Sequence, residues 1–195
     1  FSFEANIIRS LGSIINKGFI ERGEKPVHWC VDCASALAEA EVEYKDKISH
    51  SIDFAFPIEN DPINKAFGTN VKDDCFVASW TTTPWTLPGN LALTVNKNFE
   101  YCLVEFEMNS KIANYVVAKD LIEQTLERLG ISNHKIKGTC LGQDLKGLNA
   151  KHPYLERSSL IITGDHVTTE AGTGIVHTAP GHGLEDYAVA LENDL

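Results

Sequence analysis

The sequence has 195 residues, 43% hydrophobic and 23% charged, which fits one soluble globular domain, or one with a small appendage, able to bury a core without disulfide or metal staples. No apolar run approaches the roughly 18 residues that a bilayer span requires, and no basic, apolar leader is present, so neither a membrane segment nor secretion is expected. A net charge of −10 argues against a freestanding nucleic-acid binder, because phosphate binding needs clustered Lys and Arg. Five cysteines, three of them scattered singly (Cys75, Cys102, Cys140), point to a reducing, cytoplasmic setting rather than a disulfide framework. The chain opens at Phe1 without a methionine and closes in the helix-like stretch from Tyr187 to Leu195, which reads as an excised piece.

The first predicted element is an amphipathic helix, with Ile7, Ile8, Leu11, Ile14, Ile15 and Phe19 on one stripe and Gly18 and Gly23 marking its end. Lys25-Pro-Val-His-Trp-Cys-Val-Asp-Cys33 reads as a short strand and a cysteine turn. From Ala36 to Tyr44 the residues alternate strictly, with Glu39, Glu41 and Glu43 on one face, and the period predicts a strand. Short β-rich runs follow at 51–56, 75–80, 90–95, 101–106 and 115–118, bounded by turn residues such as Asn60-Asp-Pro62 and Pro88-Gly89. A second helix is predicted from Asp120, as its N-cap, to Leu129, with Gly130 just past its end. Further strands are expected near 135–141, 158–163 and 174–178, and a last helix near Gly183. Many short strands with three helices predict an α+β fold, mainly β, built as an antiparallel barrel with helical decoration. Neither an internal repeat nor a low-complexity tract is present.

Three motifs could carry chemistry. Trp80-Thr-Thr-Thr-Pro-Trp-Thr-Leu-Pro-Gly-Asn90 is either a strand running into a Pro/Gly turn or a rim of hydroxyls and backbone donors, with Trp85 as an apolar wall. Gly172-Thr-Gly-Ile-Val-His-Thr-Ala-Pro-Gly-His-Gly-Leu-Glu-Asp-Tyr187 offers sharp backbone turns, two imidazoles (His177 and His182) and Asp186 in the first turn of a helix. The acid there could simply complement the helix dipole, and each histidine could be a satisfied structural residue. A metal site from these three is disfavoured, since His-x4-His does not put two ligands on one helical face. Trp29-Cys-Val-Asp-Cys33 matches the thioredoxin redox signature, but a predicted strand follows it instead of a helix. As a zinc knuckle it is half a site, so either a partner pair lies elsewhere or these are ordinary cysteines.

Taken together, Lys25-Pro-Val-His-Trp-Cys30, Ser35-Ala-Leu-Ala-Glu-Ala-Glu-Val-Glu-Tyr44, the threonine stretch 80–90, and Gly172–Gly183 with Asp186-Tyr187 resemble isoleucyl-tRNA synthetase. The resemblance lies in the large insertion that interrupts that family's catalytic Rossmann fold, and it covers nearly the whole chain. The valyl and leucyl enzymes look similar in the second glycine block but typically carry arginine where this chain has Thr83. The family's synthetic motifs, His-x-Gly-His and Lys-Met-Ser-Lys-Ser, are absent, and the single methionine is Met108.

The resemblance implies an editing β-barrel at 46–195, truncated at its C-terminal end and preceded at 1–45 by a helix and strands leading into the insertion. It implies hydrolysis of the aminoacyl ester of Val-tRNA(Ile), with no cofactor in this piece. ATP and magnesium belong to ligation of isoleucine by the parent enzyme, whose zinc content the Cys30/Cys33 pair leaves open. Thr81, Thr82, Thr83 and Asn90 are expected to line the ester and position a water, and Asp186 to hold the α-ammonium. His177 is expected to form, with Trp85, the wall that rejects isoleucine, or else to act as general base. Thr86, Thr178, Gly181 and His182 complete the expected substrate contacts. Orientation and oxyanion stabilisation would carry catalysis, because no Ser-His-Asp or Cys-His pairing is recognisable. Expected partners are the acceptor end of valine-bearing tRNA(Ile) and the rest of the synthetase, with the protein acting as a monomer. Rival readings are a non-catalytic acceptor-end docking module, a thioredoxin-like oxidoreductase and a freestanding deacylase.

Overall fold

The computed structural model describes residues 1–195. Helix α1 (Ser2–Asn16) carries the predicted apolar stripe but buries none of it, and Ile7, Ile8 and Leu11 all face solvent. Strands β1 (Trp29–Cys30) and β2 (Ser35–Ala36) form a separate two-stranded hairpin around the cysteine turn. The strand predicted from Ala36 to Tyr44 does not form. Ala36 and Leu37 still bond across to the Trp29 side of the hairpin, but beyond them no other strand lies alongside, so the backbone has no ladder to join. Instead Glu41 accepts a hydrogen bond from the Ala38 amide (2.8 Å), closing a 3-10 turn at Glu39–Glu41. Period-2 patterning sorts side chains onto two faces, and here nothing buries either face.

The remaining strands make one nine-stranded sheet: β3 (Ile52–Ile58), β4 (Cys75–Thr81), β5 (Ala92–Val95), β6 (Glu100–Met108), β7 (Lys111–Ala118), β8 (His134–Leu141), β9 (Asn149–Lys151), β10 (Ser158–Thr163) and β11 (Ile175–Thr178). Their spatial order is β11-β5-β10-β9-β3-β4-β7-β6-β8. Most neighbours are antiparallel as expected, but β10 pairs with β5 and β4 with β7 in parallel. Each of these parallel pairs is joined by a long connection that carries other elements, which local patterning does not reveal.

The sheet curls until β11 packs against β4. No backbone ladder joins those two strands; hydroxyls do. Ser79 Oγ donates to the Ile175 carbonyl and Thr173 Oγ1 to the Ala78 carbonyl, each at 2.8 Å. Inside the curl lies the main core, where Phe56, Val77, Leu93, Val95, Leu103, Val116 and Ile161 are all but inaccessible. A second cluster on the outer face of β6 and β7, including Val104, Phe106 and Tyr115, is capped by Ile122 and Leu126 of α3 (Ile122–Leu129). Gly130 ends that helix in the left-handed conformation, as predicted, while its first turn is a 3-10 segment at Lys119–Leu121.

Two α-helices join the three that were predicted. Asn60-Asp-Pro62 was expected as a turn but opens α2 (Asn60–Phe67), because proline in the first helical turn lacks only an amide that would have no partner there. A single turn, α4 (Gly142–Leu145), precedes β9, and α5 (Leu184–Glu192) follows Gly183 as predicted.

Tyr101 fixes the approach to β11. Its buried hydroxyl accepts from the Asn96 amide (3.0 Å) and donates to the Gly174 carbonyl (2.7 Å). Gly174 itself sits at φ +73, and a Cβ there would come within 2.3 Å of Ala118 Cβ, so only glycine fits. Tyr101→Phe leaves both backbone groups buried and unpaired, and the expected loss is about 1–3 kcal/mol of unfolding free energy. Urea denaturation should show a lowered midpoint with an unchanged slope.

Candidate functional site

The curl brings the end of β4 beside the end of β11, so the two motif-bearing segments meet although about ninety residues separate them in sequence. Between them lies a cleft of about 190 Å³ lined by Trp80, Thr81, Thr83, Thr86, Val176, His177, His182 and Asp186. On its threonine side, Thr81 Oγ1 accepts the Thr83 amide (3.0 Å) and lies 3.2 Å from Thr83 Oγ1, which sets two hydroxyls side by side. Thr82 points away into solvent, and its carbonyl accepts from Ser49 Oγ (3.0 Å).

From Pro84 to Gly89 the chain winds as a 3-10 helix, begun by proline at a position that needs no amide. The turn is gripped from behind by its carbonyls. His152 Nδ1 accepts two amides, those of Tyr154 and Leu155, which leaves its proton on Nε2 to be donated to the Leu87 carbonyl (3.0 Å). Arg157 donates to the Pro88 carbonyl. Gly89 is needed for contact, since a Cβ there would lie 2.9 Å from the His182 ring.

His177 is 7% exposed and bonded at both ring nitrogens. Nδ1 faces Asn90 Nδ2 at 3.1 Å, and Nε2 faces Thr86 Oγ1 at 2.8 Å. The ring also meets Phe54 edge-on, with centroids 6.2 Å apart. Burial, with smaller contributions from His152 and His182, pushes its pKa down to about 4, so the imidazole is neutral at physiological pH. Asp186 accepts the Ala179 amide through Oδ2 (2.9 Å), which draws the loop between β11 and α5 over the cleft and leaves Oδ1 unengaged by the protein. Burial raises its carboxyl above the ordinary value, against the opposing pull of the Ala179 amide, His166 and His182.

The glycine block that leads into β11 is anchored by α3. Thr125 Oγ1 donates to the Gly172 carbonyl (3.1 Å), and Arg128 reaches the same carbonyl while binding both oxygens of Asp53 at 2.7–3.1 Å. Its guanidinium also lies 5.9 Å from the Trp80 ring centroid, and Gly172 packs on that indole.

Of the residues singled out from sequence, Thr81, Thr83, Thr86, His177, His182 and Asp186 therefore share one cleft. Trp85 does not stand on its wall; the side chain is 67% exposed on the outside of the 3-10 turn, and Trp80 and Val176 line the cleft instead. Asn90 is completely buried behind the wall with its amide occupied, rather than facing a water. Thr178 is buried against Thr94 Oγ1 (2.6 Å), and Gly181 lies exposed in the loop before α5. Sequence reasoning passed over Ser159, His152, Arg128 and Asp53. None belongs to a motif, and only tertiary placement brings them to the site.

The cysteine pair lies elsewhere. Cys33 donates its amide to Cys30 Sγ (3.3 Å) on the β1–β2 hairpin, not at the start of a helix, so the thioredoxin context fails. Two thiols supply half of a tetrahedral metal set, and no cluster of three or more His, Cys, Asp or Glu capable of holding a metal is assembled.

Residues 1–139 match the family of class I tRNA synthetases for isoleucine, leucine, methionine and valine. The chain is 50% identical to the isoleucine–tRNA ligase of Shewanella pealeana and 49% identical to that of Francisella tularensis subsp. novicida, over its entire length in both cases. It spans only 21% of each of those proteins. Among solved structures, the editing domain of the Plasmodium knowlesi cytosolic leucyl-tRNA synthetase superposes with a TM-score of 0.62 at 15% identity, covering 73% of this chain and 60% of that one. The corresponding P. falciparum domain gives 0.54 at 16% identity, covering 72% and 65%. At these identities the likeness is one of fold. No helix is long and apolar enough to cross a membrane.

The depressed pKa of His177 has a stability consequence. Its ordinary value is 6.5 and its folded value about 4, so between those limits the unfolded chain binds a proton that the folded chain refuses. This contribution is complete above about pH 6.5 and declines as pH falls toward 4. Denaturation of the unsubstituted chain and of His177→Gln from pH 7 to 4 should show their stability difference shrinking with acidity; a growing difference would mean the fold accommodates the imidazolium.

Proposed function

Because the chain belongs to the class I tRNA synthetase family of the isoleucine, leucine, methionine and valine enzymes, we propose that its cleft hydrolyses the ester of valine-bearing tRNA(Ile). The observation that carries this reading is the partly buried Asp186 carboxylate lining the cleft, with Oδ2 held by the Ala179 amide and Oδ1 left unengaged. A carboxylate held in this way suits the α-ammonium of an aminoacyl ester, through a charge-assisted hydrogen bond. The Thr81 and Thr83 hydroxyls supply donors for the ester, and the neutral His177 supplies a wall against the side chain. The 50% identity to isoleucine enzymes supports isoleucine as the parent's amino acid and valine as the error to remove.

A second hydrolytic site answers a limit of binding. One methylene in an apolar pocket is worth about 1–3 kcal/mol, a limit for which this enzyme family is the standard worked case rather than a result of this structure. Water attack in this cleft draws on orientation and on donors aimed at the developing oxyanion, since the hydroxyls have no base beside them. His177 does not act as that base: both its nitrogens are engaged and burial disfavours its protonation. The net charge of −10 assigns the grip on tRNA phosphates to the rest of the synthetase, whose ligation of isoleucine uses ATP and magnesium at motifs outside this chain.

Asp186→Asn is the sharper test than Asp186→Ala. The amide oxygen can still accept the Ala179 amide, so the loop keeps its shape while the charge is gone. In hydrolysis of preformed Val-tRNA(Ile) and Ile-tRNA(Ile), the expected outcome is selective loss of valine, reduced about 100-fold or more in Asp186→Asn. In the unsubstituted chain the rate should fall on acidification at a pH above the ordinary carboxylate value of 3.8, because the active ionised form is lost early. Undiminished turnover in Asp186→Asn removes the ammonium role. Acceptor-end binding without turnover would instead make the cleft a docking module.

A further inference from the structure

Ser159 lies on β10, outside every motif, and is wholly inaccessible. Its hydroxyl donates to Asn90 Oδ1. The orientation of the Asn90 amide is fixed twice over. Its Nδ2 donates to the Ala92 carbonyl (2.8 Å), and a carbonyl can face only the nitrogen end of an amide. Its Oδ1 then faces the Ser159 hydroxyl, the one donor that side offers. The second hydrogen on Nδ2 is thereby aimed at His177 Nδ1, which must present a lone pair.

The polarity propagates. With Nδ1 as acceptor, the proton of neutral His177 sits on Nε2 and is donated to Thr86 Oγ1 (2.8 Å). Thr86 Oγ1 in turn donates to the Thr83 carbonyl (2.9 Å), at the N-terminal end of the 3-10 turn that borders the cleft. From Ser159 to Thr83 every hydrogen bond runs in one direction, and no member is both buried and unsatisfied. Reversing any one bond would set two donors or two acceptors face to face in an interior where that mismatch costs most.

We propose that Ser159 and Asn90 are positioning residues of the editing site, which together hold His177 in its Nε2-protonated neutral tautomer as a fixed, non-basic wall. The pair acts through His177 and touches no substrate. The value of the wall to discrimination rests on the editing reading above; the tautomer does not. Phe54 edge-on to the ring and the burial of the imidazole favour the same neutral state.

The test reads the tautomer directly. Ring nitrogens of the chain labelled with 15N-histidine are correlated with the ring carbon-bound protons across pH 5 to 8, beside hydrolysis of Val-tRNA(Ile) and Ile-tRNA(Ile). His177 should show the Nε2–H pattern unchanged over that range. Asn90→Asp replaces the donor facing Nδ1 with an acceptor, so the proton should move to Nδ1, or the ring become imidazolium with its titration raised by at least about one pH unit. Ser159→Ala removes the donor to Asn90 Oδ1, leaves the Ala92 carbonyl as the sole orienting contact, and should populate the second tautomer as a minor form, with hydrolysis of the valyl ester slowed. The proposal is overturned if unsubstituted His177 carries its proton on Nδ1 or titrates near 6.5, neither of which requires a variant to fold. It is equally overturned if folded Asn90→Asp and Ser159→Ala keep the original pattern. Absence of valyl hydrolysis in the unsubstituted chain, with the tautomer pattern as expected, sinks the editing reading and leaves the positioning role supported.

Discussion

Everything at the cleft depends on how the curled sheet meets itself. Strands β4 and β11 are separated by four others along the ladder; Val77 and Ile175 share the core between them, and Ser79 and Thr173 offer hydroxyls to carbonyls across the gap. A backbone ladder at that position would have consumed the amides and carbonyls of both strands and fixed a single register. Side-chain donors instead tie two points and leave the strand ends beyond them free to diverge. Thr81 to Thr86 leave on one side and His177 to Asp186 on the other, and the space between them is the site.

Around that seam the support is laid in shells of different chemistry. Apolar packing inside the curl holds β3, β4, β5 and β10 without reference to the site. Nearer the cleft, hydrogen bonds that end on backbone carbonyls take over: Tyr101 on Gly174, Thr125 and Arg128 on Gly172, His152 on Leu87. The Arg128–Asp53 pair is only partly exposed and bidentate, and its guanidinium also serves Gly172 and the face of Trp80, so its role is geometric as much as electrostatic. At the cleft itself the groups are unevenly satisfied. His177 has both nitrogens bonded, whereas Asp186 has one oxygen held by the Ala179 amide and the other unengaged.

The sequence was legible where local rules govern. Short β-rich runs, the Gly130 stop of α3 and the last helix after Gly183 follow from patterning and turn chemistry. It was illegible where a partner strand decides the outcome. The alternating stretch after Ala36 has the period of a strand and finds no neighbour, while Asn60-Asp-Pro62 looks like a turn and opens a helix. The cleft residues split in the same way. Thr81, Thr83, Thr86, His177, His182 and Asp186, carried by the two motifs, line one cleft, because both motifs sit at strand ends that the curl brings together. Trp85 was placed on the wrong side of its turn and Asn90 in front of the wall rather than behind it, since the direction of a side chain in a 3-10 turn depends on what the turn is packed against. Ser159 and His152 carry no local signal at all.

The clamp on the 3-10 turn reads carbonyls, not side chains. His152 and Arg157 hold Leu87 and Pro88 by groups that every amino acid possesses, from a hairpin that contributes nothing to the lining of the cleft. The shape of this border is thus uncoupled from the identity of the residue displayed on its outer side, where Trp85 stands open to solvent. Such a turn is a mount with an interchangeable face: the residue displayed there can change while the backbone that borders the cleft stays where it is.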